Sequence, residues 1–356
     1  MNVLLTCAGR RNYLVGYFQK ALDGRGSVLA ADANADASSL YEADQALVVP
    51  LVSDRGYVDA LLEICRQNQV RLLVPLNDLE LPVIAARRSD FAAIGTLPLV
   101  SSPHVIDICF DKWKTAAFLQ EIGLSTPKTY LTLEDALTAV SAGEISYPLA
   151  VKPRWGSASI GLEFPADSEE LEMTYELTRK RLARSILAEA SSIDSSHSIL
   201  IQEMLSGPEY GLDVVNDIGG KHMCVFVKQK LAMRSGEADR ARTIANDKLE
   251  AIGATIARTL GHIGNLDCDV LVGKEGFSTL ELNPRFGGGY PFSHAAGADL
   301  PAALIAWVNS SEPDPDWLRV KPDVLSSKCD RLVVRDDQPI HSDRELVSFP
   351  SVKCTV

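Results

Sequence analysis

Five residues late in the chain could do metal and phosphate chemistry together: Asp267, Asp269, Glu281, Asn283 and Arg285. The apolar runs Leu266 to Val272 and Phe277 to Leu282 flank Gly273-Lys274-Glu275-Gly276, the pattern of a β-hairpin. Side chains alternate along a strand, so Glu281, Asn283 and Arg285 share one side, and Asp267 and Asp269 share a side of theirs. Register decides whether the two sets meet. A three- or five-residue loop sets Glu281 opposite Asp267 or Asp269, whereas a four-residue loop sets it opposite Cys268 and sends the acids to opposite faces. An odd loop is therefore expected. Oxygen ligands gathered in this way repel one another unless a hard cation sits between them, and Mg²⁺ completed by phosphate oxygens is the usual solution. A guanidinium such as Arg285 then neutralises a moving phosphoryl group. The plain alternative is a solvated acidic hairpin.

Two further stretches suit phosphate and nucleoside. Lys152 ends the apolar run Leu149 to Pro153 and is followed by the small-residue loop Gly156-Ser157-Ala158-Ser159-Ile160-Gly161, whose free backbone N–H groups could cradle phosphates. The spacing is not that of a Walker loop, and an ordinary Gly/Ser turn has the same composition. Gln202-Glu203-Met204-Leu205, after the strand-like Ile199 to Gln202, reads as a hinge whose backbone could meet an adenine edge, with Glu209 accepting from ribose hydroxyls.

The elements that must position these residues follow from periodicity. Short apolar runs alternate with amphipathic stretches over the first hundred residues: Val3 to Thr6, Tyr13 to Leu22, Ser27 to Asp32, Tyr57 to Gln67, Leu72 to Pro75 and Leu79 to Arg87. That is a βαβ pattern and implies a parallel sheet. Ligands bind such sheets at the carboxyl ends of their strands, which gathers Cys7 to Arg11, Asp32 and Asn77-Asp78 around one crevice. Arg10, Arg11, Asn77, Asp78 and Glu80 are placed there for a second substrate by position alone. A helix begins at Asp111 and ends near Gly123, and the first boundary falls there. Beyond it come strand-like pieces (Leu149 to Pro153, Ile160 to Phe164, Ile199 to Gln202) and a charged helix from Ser168 to Ala190 with a loop-like serine-rich tail, 191–196. Strands at Tyr210 to Asn216 and Met223 to Gln229 and a helix from Asn246 to Leu260 complete an α+β pattern. Short strands are expected again at Leu332 to Val334 and Leu346 to Phe349.

In this order the elements resemble the ATP-grasp superfamily of carboxylate-amine ligases, nearest to its carbamoyl-phosphate-synthase-like and D-alanine-D-alanine-ligase-like members. Glu281-Leu282-Asn283-Pro284-Arg285 looks like that family's metal motif, and the resemblance covers residues 1–310. It implies a mixed α/β and α+β architecture: a Rossmann-like N-terminal domain (1–110), an α+β lid subdomain (111–203), an α+β catalytic subdomain (204–315) and a C-terminal appendage (316–356). It assigns Lys112 and Lys152 to a triphosphate, and Gly156 and Ser157 to a lid, residues 154–161, over the phosphates. Gln202, Glu203, Leu205 and Glu209 fall to adenosine, and Lys230 to the nucleotide. Glu281, Asn283 and Asp267 become ligands of Mg²⁺ or Mn²⁺, with Asp269 the rival for the third place. Arg234 and Arg285 grip a carboxylate that becomes an acyl phosphate, since a guanidinium fork suits it better than an ammonium. The implied activity is ATP-dependent amide or peptide bond formation from amino-acid-like carboxylate and amine substrates. Phosphorylation of carbamate or bicarbonate, and a catalytically silent ATP-binding protein, are the alternatives within the same fold.

Other classes fit less well. A nicotinamide enzyme would want G-x-G-x-x-G after the first strand, but Gly9 is followed by Arg10, Arg11 and Asn12. A net charge of -12, from 47 acidic against 35 basic residues in 356, argues against nucleic acid. No apolar run is long enough to span a bilayer, and the seven scattered cysteines read as reduced, buried, cytoplasmic thiols. Neither membrane nor nucleic acid is expected as a partner, and a homodimer is an open expectation.

Overall fold

The computed structural model describes residues 1–156, 161–273 and 276–334. Its first sheet is parallel, in the order β3-β2-β1-β4-β5, formed by β1 (Asn2–Thr6), β2 (Val28–Asp32), β3 (Gln45–Val48), β4 (Val70–Pro75) and β5 (Leu97–Pro98). These strands are almost wholly apolar because helices cover both faces. One face carries α1 (Asn12–Leu22); the other carries α2 (Tyr57–Gln67), α3 (Leu81–Ala86) and α4 (Arg88–Ala93).

Two helices lead out of this sheet, α5 (Pro103–Phe110) and α6 (Lys112–Glu121). Asp111 between them caps α6 by accepting from the backbone N–H groups of Trp113 and Lys114. The same carboxylate takes both arms of Arg154, at 2.8 and 2.7 Å, in a nearly dry setting. Arg154 follows a strand of the second sheet, so this pair fixes Lys112 beside Lys152 although forty residues separate them in sequence. That second sheet is antiparallel, β6-β8-β7, made of β6 (Thr129–Tyr130), β7 (Leu149–Pro153) and β8 (Ile199–Glu203). Helices α7 (Leu133–Ser141), α8 (Ser168–Leu182) and α9 (Ala188–Ser191) belong to this part of the chain.

The third sheet is antiparallel, β13-β12-β9-β10-β11-β14. Its strands are β9 (Glu209–Asn216), β10 (His222–Arg234), β11 (Glu237–Thr243), β12 (Gly264–Gly273), β13 (Gly276–Asn283) and β14 (Leu325–Ser327). Helix α10 (Asp247–Leu260), capped by Asn246, buries Leu249, Ile256 and Ala257 against β9 and β10. After α11 (Tyr290–Ala295), α12 (Leu300–Val308) returns to pack on α1, so chain from beyond residue 300 completes the core of the first sheet.

Several sequence expectations need correction. The serine-rich tail forms 3-10 turns over Ser192–His197, broken at Asp194 where the backbone is extended. The charged helix stops at Leu182 rather than Ala190, with α9 a separate turn. Residues 332–334 form no strand and Leu332 is almost fully exposed, while 346–349 lie outside the described residues. Glu163 makes only an isolated bridge to Val151, and Ile160 lies outside the described residues. Strand β11 was not anticipated, because its run of alternating charged and small residues hides that Ala238, Ala241 and Thr243 form its buried face. Cys329 is exposed rather than buried. Among the described residues no helix is long and apolar enough to cross a membrane.

Removing one partner of a buried pair strands the other's charge. Asp111→Ala, which also uncaps α6, is expected to cost about 3 kcal/mol or more in urea unfolding. A loss below about 0.5 kcal/mol, the scale of an exposed pair, would show that Arg154 is compensated without it.

Candidate functional site

The three sheets meet around one cavity of about 390 Å³. The strand ends of the first sheet contribute Arg11, Asn77 and Asp78; the second contributes Lys152 and Gln202; the third contributes Lys230, Asp267, Asp269, Glu281, Asn283 and Arg285. Lys112, Gly156, Glu203, Leu205 and Glu209 line it as well. Nearly all the residues singled out from sequence are thus brought to one place.

The hairpin reaches this arrangement by an unexpected route. Near the turn Gly273 pairs with Gly276 and Val272 with Phe277, an even connection that would carry Glu281 opposite Cys268. The expected odd loop is therefore wrong. A β-bulge at Leu280 rescues the register: Val270 pairs with Thr279, but Asp269 pairs with Glu281 and Asp267 with Asn283. One extra residue in β13 brings the carboxylates and the amide back to one face.

Cations of the protein compensate most of this charge. Lys230 donates to Glu209 and Asp269, each at 2.6 Å. Arg285 donates to Asp78 at 2.7 Å and to Asp267 at 3.3 Å. Deeper in the sheet Lys228, fully buried, donates to Asp213 at 2.6 Å, and Ser293 donates to the same oxygen at 2.5 Å. Burial pushes the carboxyl of Asp269 up to about 7 against the attraction of Lys230, with Asp267 and Glu209 adding to the rise. Burial likewise raises Asp267, opposed by Arg285 and Lys230. Lys230 is held above the ordinary lysine range: burial works against its charge, and Asp269, Glu209 and Asp267 outweigh it.

At the lysine end, Lys112 donates to the Gly156 carbonyl. Burial brings Lys152 down to about 8, with Lys112 pushing the same way while Glu281 and Asp269 oppose. Two buried ammonium groups near one glutamate make a pocket poised for a multiply charged anion.

Among the described residues no three Asp, Glu, His or Cys side chains converge as a metal cluster. Asp267 is paired with Arg285 and Asp269 with Lys230. Glu281, Asn283 and Asp267 nevertheless offer two carboxylates and an amide on one face, a donor set that fits Mg²⁺, which takes one or two carboxylates and keeps positions for phosphate and water. Arg285 also leaves its buried Nε without a hydrogen-bond partner.

Some expected site residues are placed elsewhere. Arg234 does not line the cavity; its exposed guanidinium pairs with Asp239 at 2.9 Å and Asp330 at 2.8 Å. The side-chain amide of Gln202 donates to Thr129 at 2.8 Å. Glu80 is fully buried beneath the 76–79 loop, accepting from Tyr57 and from the backbone N–H groups of Leu76 and Asn77, so it braces the loop rather than facing the cavity. Arg10 is exposed and does not line the cavity. In the lid stretch 154–161, Arg154 and Trp155 are buried, while Ser157 lies outside the described residues. Asp213 is not anticipated from sequence, and Lys228, which the family resemblance would set beside the phosphates with Lys230, is instead buried on Asp213 outside the cavity lining. The signal was there in a charge set directly against apolar residues in each strand, Leu212-Asp213-Val214 and Val227-Lys228.

The glycines after the hairpin form a close-packed wall. A Cβ on Gly287 would meet the Asp267 carboxylate at 2.1 Å, and one on Gly288 would meet Glu237 at 2.7 Å.

Residues 3–99 match a family described as the PylC-like N-terminal domain, and residues 195–326 match one described as ATP-grasp in the biosynthetic pathway with Ter operon. The large chain of carbamoyl phosphate synthase from Myxococcus xanthus is 27% identical over 254 residues, which cover 68% of this chain and 21% of that one. The chain thus spans about a fifth of the length of this curated relative. A biotin carboxylase from Campylobacter jejuni, solved with an ATP analogue, superposes with a TM-score of 0.70 at 16% identity, covering 89% of this chain and 73% of that one. An L-amino acid ligase from Bacillus licheniformis gives 0.63 at 20%, covering 88% and 75%. The fold is that of the ATP-grasp class. Within that fold, the chain is similar to PylC-like proteins over its first hundred residues and to an ATP-grasp domain further on.

Overpacking against a buried carboxylate costs about 1–3 kcal/mol. Gly287→Ala is expected to lose that much in urea unfolding, while Gly16→Ala, within α1 with open space around its Cβ and no left-handed backbone to strain, should lose nothing. No loss at Gly287 either would mean that Asp267 moves aside at little cost.

Proposed function

We propose that the protein is an ATP-dependent carboxylate-amine ligase. The observation that carries this reading is the meeting of two buried lysines, Lys112 and Lys152, with Glu281 and Asn283 in one cavity. Lys112 and Lys152 bind the triphosphate beside Gly156; Ser157, expected to join them, lies outside the described residues. Glu203, Leu205 and Glu209 border the adenosine, with Glu209 held by Lys230; Gln202, paired on both sides within its sheet and donating its amide to Thr129, braces that wall. Asp267, Glu281 and Asn283 hold Mg²⁺ or Mn²⁺, which when bound offsets the charge of the terminal phosphates.

A substrate carboxylate oxygen attacks the γ-phosphorus, the bond to ADP breaks, and an acyl phosphate forms. Arg285 and Lys152 offset the charge that spreads over the transferred group. An amine nitrogen then attacks the acyl carbon, phosphate leaves and the nitrogen loses a proton to solvent. Arg285, bridging Asp78 and Asp267, stands where strand ends of the first sheet meet the hairpin, so it orients the acceptor carboxylate. Arg234, paired at the surface, has no part in this scheme. The likeness to carbamoyl phosphate synthase favours a second reading, in which bicarbonate or carbamate is the carboxylate phosphorylated.

ATP with Mg²⁺ is expected to raise the thermal midpoint more than ATP with EDTA, since a ligand of the folded state alone stabilises it. Glu281→Gln and Asn283→Ala should remove the Mg²⁺ increment, keep the fold and lower ADP release about 10³-fold. ADP release on bicarbonate alone would select the second reading; no response to ATP would sink both.

Lys152 adds a pH dependence whose sign follows from its lowered value. Its charge is fully present below about pH 8 and lost above it, and a bound phosphate favours the charged form. ATP affinity in EDTA should therefore be flat below pH 7 and fall by up to about tenfold per unit above pH 8. Lys152→Met should bind more weakly throughout and lose this fall.

A further inference from the structure

The acids of the cavity differ in where their cations come from. Asp78 and Asp267 share Arg285, and Asp269 and Glu209 share Lys230, all partners within the cavity wall. Glu237, at the start of β11, also lines the cavity, but its cation is Lys328, which does not. Lys328 Nζ donates to Glu237 Oε2 at 2.9 Å, and the Glu237 side chain is 45% exposed.

Lys328 reaches Glu237 from a strap. After β14 the chain is fastened to β11 by the Lys328 N–H to the Asp239 carbonyl at 2.8 Å, and Arg234 pairs with Asp330 at 2.8 Å. Arg331 then grips both oxygens of Glu42 in the first sheet's domain, at 2.5 and 2.6 Å. The strap thus ties the third sheet to the first sheet's domain and delivers one ammonium group to the cavity's rim. An ion pair this exposed adds little to stability, so a competing ammonium can displace it at small cost. Glu237 also lies against Gly288, next to the Gly287 that abuts Asp267, so the two carboxylates flank consecutive residues of one loop.

We infer that Glu237 is the ammonium-binding position of the second-substrate subsite and that Lys328 is its tethered surrogate, displaced when a small molecule bearing a primary ammonium binds. This rests on the ligase reading, and it names the class of that reaction's second substrate. A tethered occupant competes at an effective concentration in the millimolar range, so releasing it should raise the apparent affinity for a free ammonium ligand.

The test uses the full chain, with n-butylamine at neutral pH as the probe and n-butanol as the uncharged control, read by thermal shift and calorimetry. Lys328→Met keeps the alkyl stem and should bind n-butylamine about tenfold more tightly than the parent, with no response to n-butanol. Adding Glu237→Gln to Lys328→Met should abolish that gain. Equal binding by parent and Lys328→Met, or a gain that survives Glu237→Gln, would overturn the inference. So would a lowered midpoint for Lys328→Met with no amine binding, which would make the pair purely structural. The shift with ATP and Mg²⁺, measured on the same samples, separates the two readings. Its absence in the parent defeats the ligase assignment, whereas its presence without the amine response defeats only the role of Glu237 and Lys328.

Discussion

Charge buried in one cavity has to be matched, and in this protein the matching is also what joins the sheets. Arg285 holds Asp78, from a loop of the first sheet, and Asp267, from the middle of the third. Arg154, after β7, holds Asp111 at the head of α6. Lys230 spans β9 and β12, and Lys228 ties β10 to Asp213 and Ser293. Such pairs repay little more than their own desolvation, so their main effect is on geometry. Each fixes a relation between elements that apolar contact leaves free to slide.

The backbone supplies what charge alone cannot. Side chains on a ladder have a period of two, so a one-residue error in register would send Glu281 and Asn283 away from Asp267 and Asp269. The bulge at Leu280 corrects an even turn at the cost of one unpaired residue. The glycines at 287 and 288 then let the chain pass close against Asp267 and Glu237. Both devices act within a few residues of the proposed metal ligands, where a displacement of about 1 Å matters most for chemistry.

How much of this could be read from sequence depended on the range of the cause. The parallel strands were legible because strands buried on both faces are continuous apolar runs, as in Val3-Leu4-Leu5 and Leu72-Leu73-Val74. The cavity residues Lys152, Glu281 and Asn283 were legible because each sits at a strand end or in an alternating strand, where local geometry sets direction. The bulge was not, since it exists only in the pairing of two strands. Arg234 was misplaced for a related reason: its partner Asp330 is almost a hundred residues away. β11 escaped because its buried face is Ala238, Ala241 and Thr243, residues too small or polar to register as a strand's apolar side.

The same long range explains why the site cannot be assigned to one part of the chain. Residues from 300 onward close the core beneath α1, and Phe286, one residue past the Glu281 to Arg285 stretch, packs edge-on to Phe18 and Tyr290 in that core. Arg11, at the head of α1, donates to the carbonyls of Leu76 at 2.5 Å and Phe286 at 3.4 Å, so one guanidinium reads the positions of the 76–79 loop and the hairpin's exit. Asp78 and Arg285 are thereby set from two sides: by their own ion pair and by the apolar packing behind it. A ligand that draws Arg285 away from Asp78 would have to work against that packing as well as the ion pair. The core of the first sheet is therefore part of what holds the cavity's charges in place.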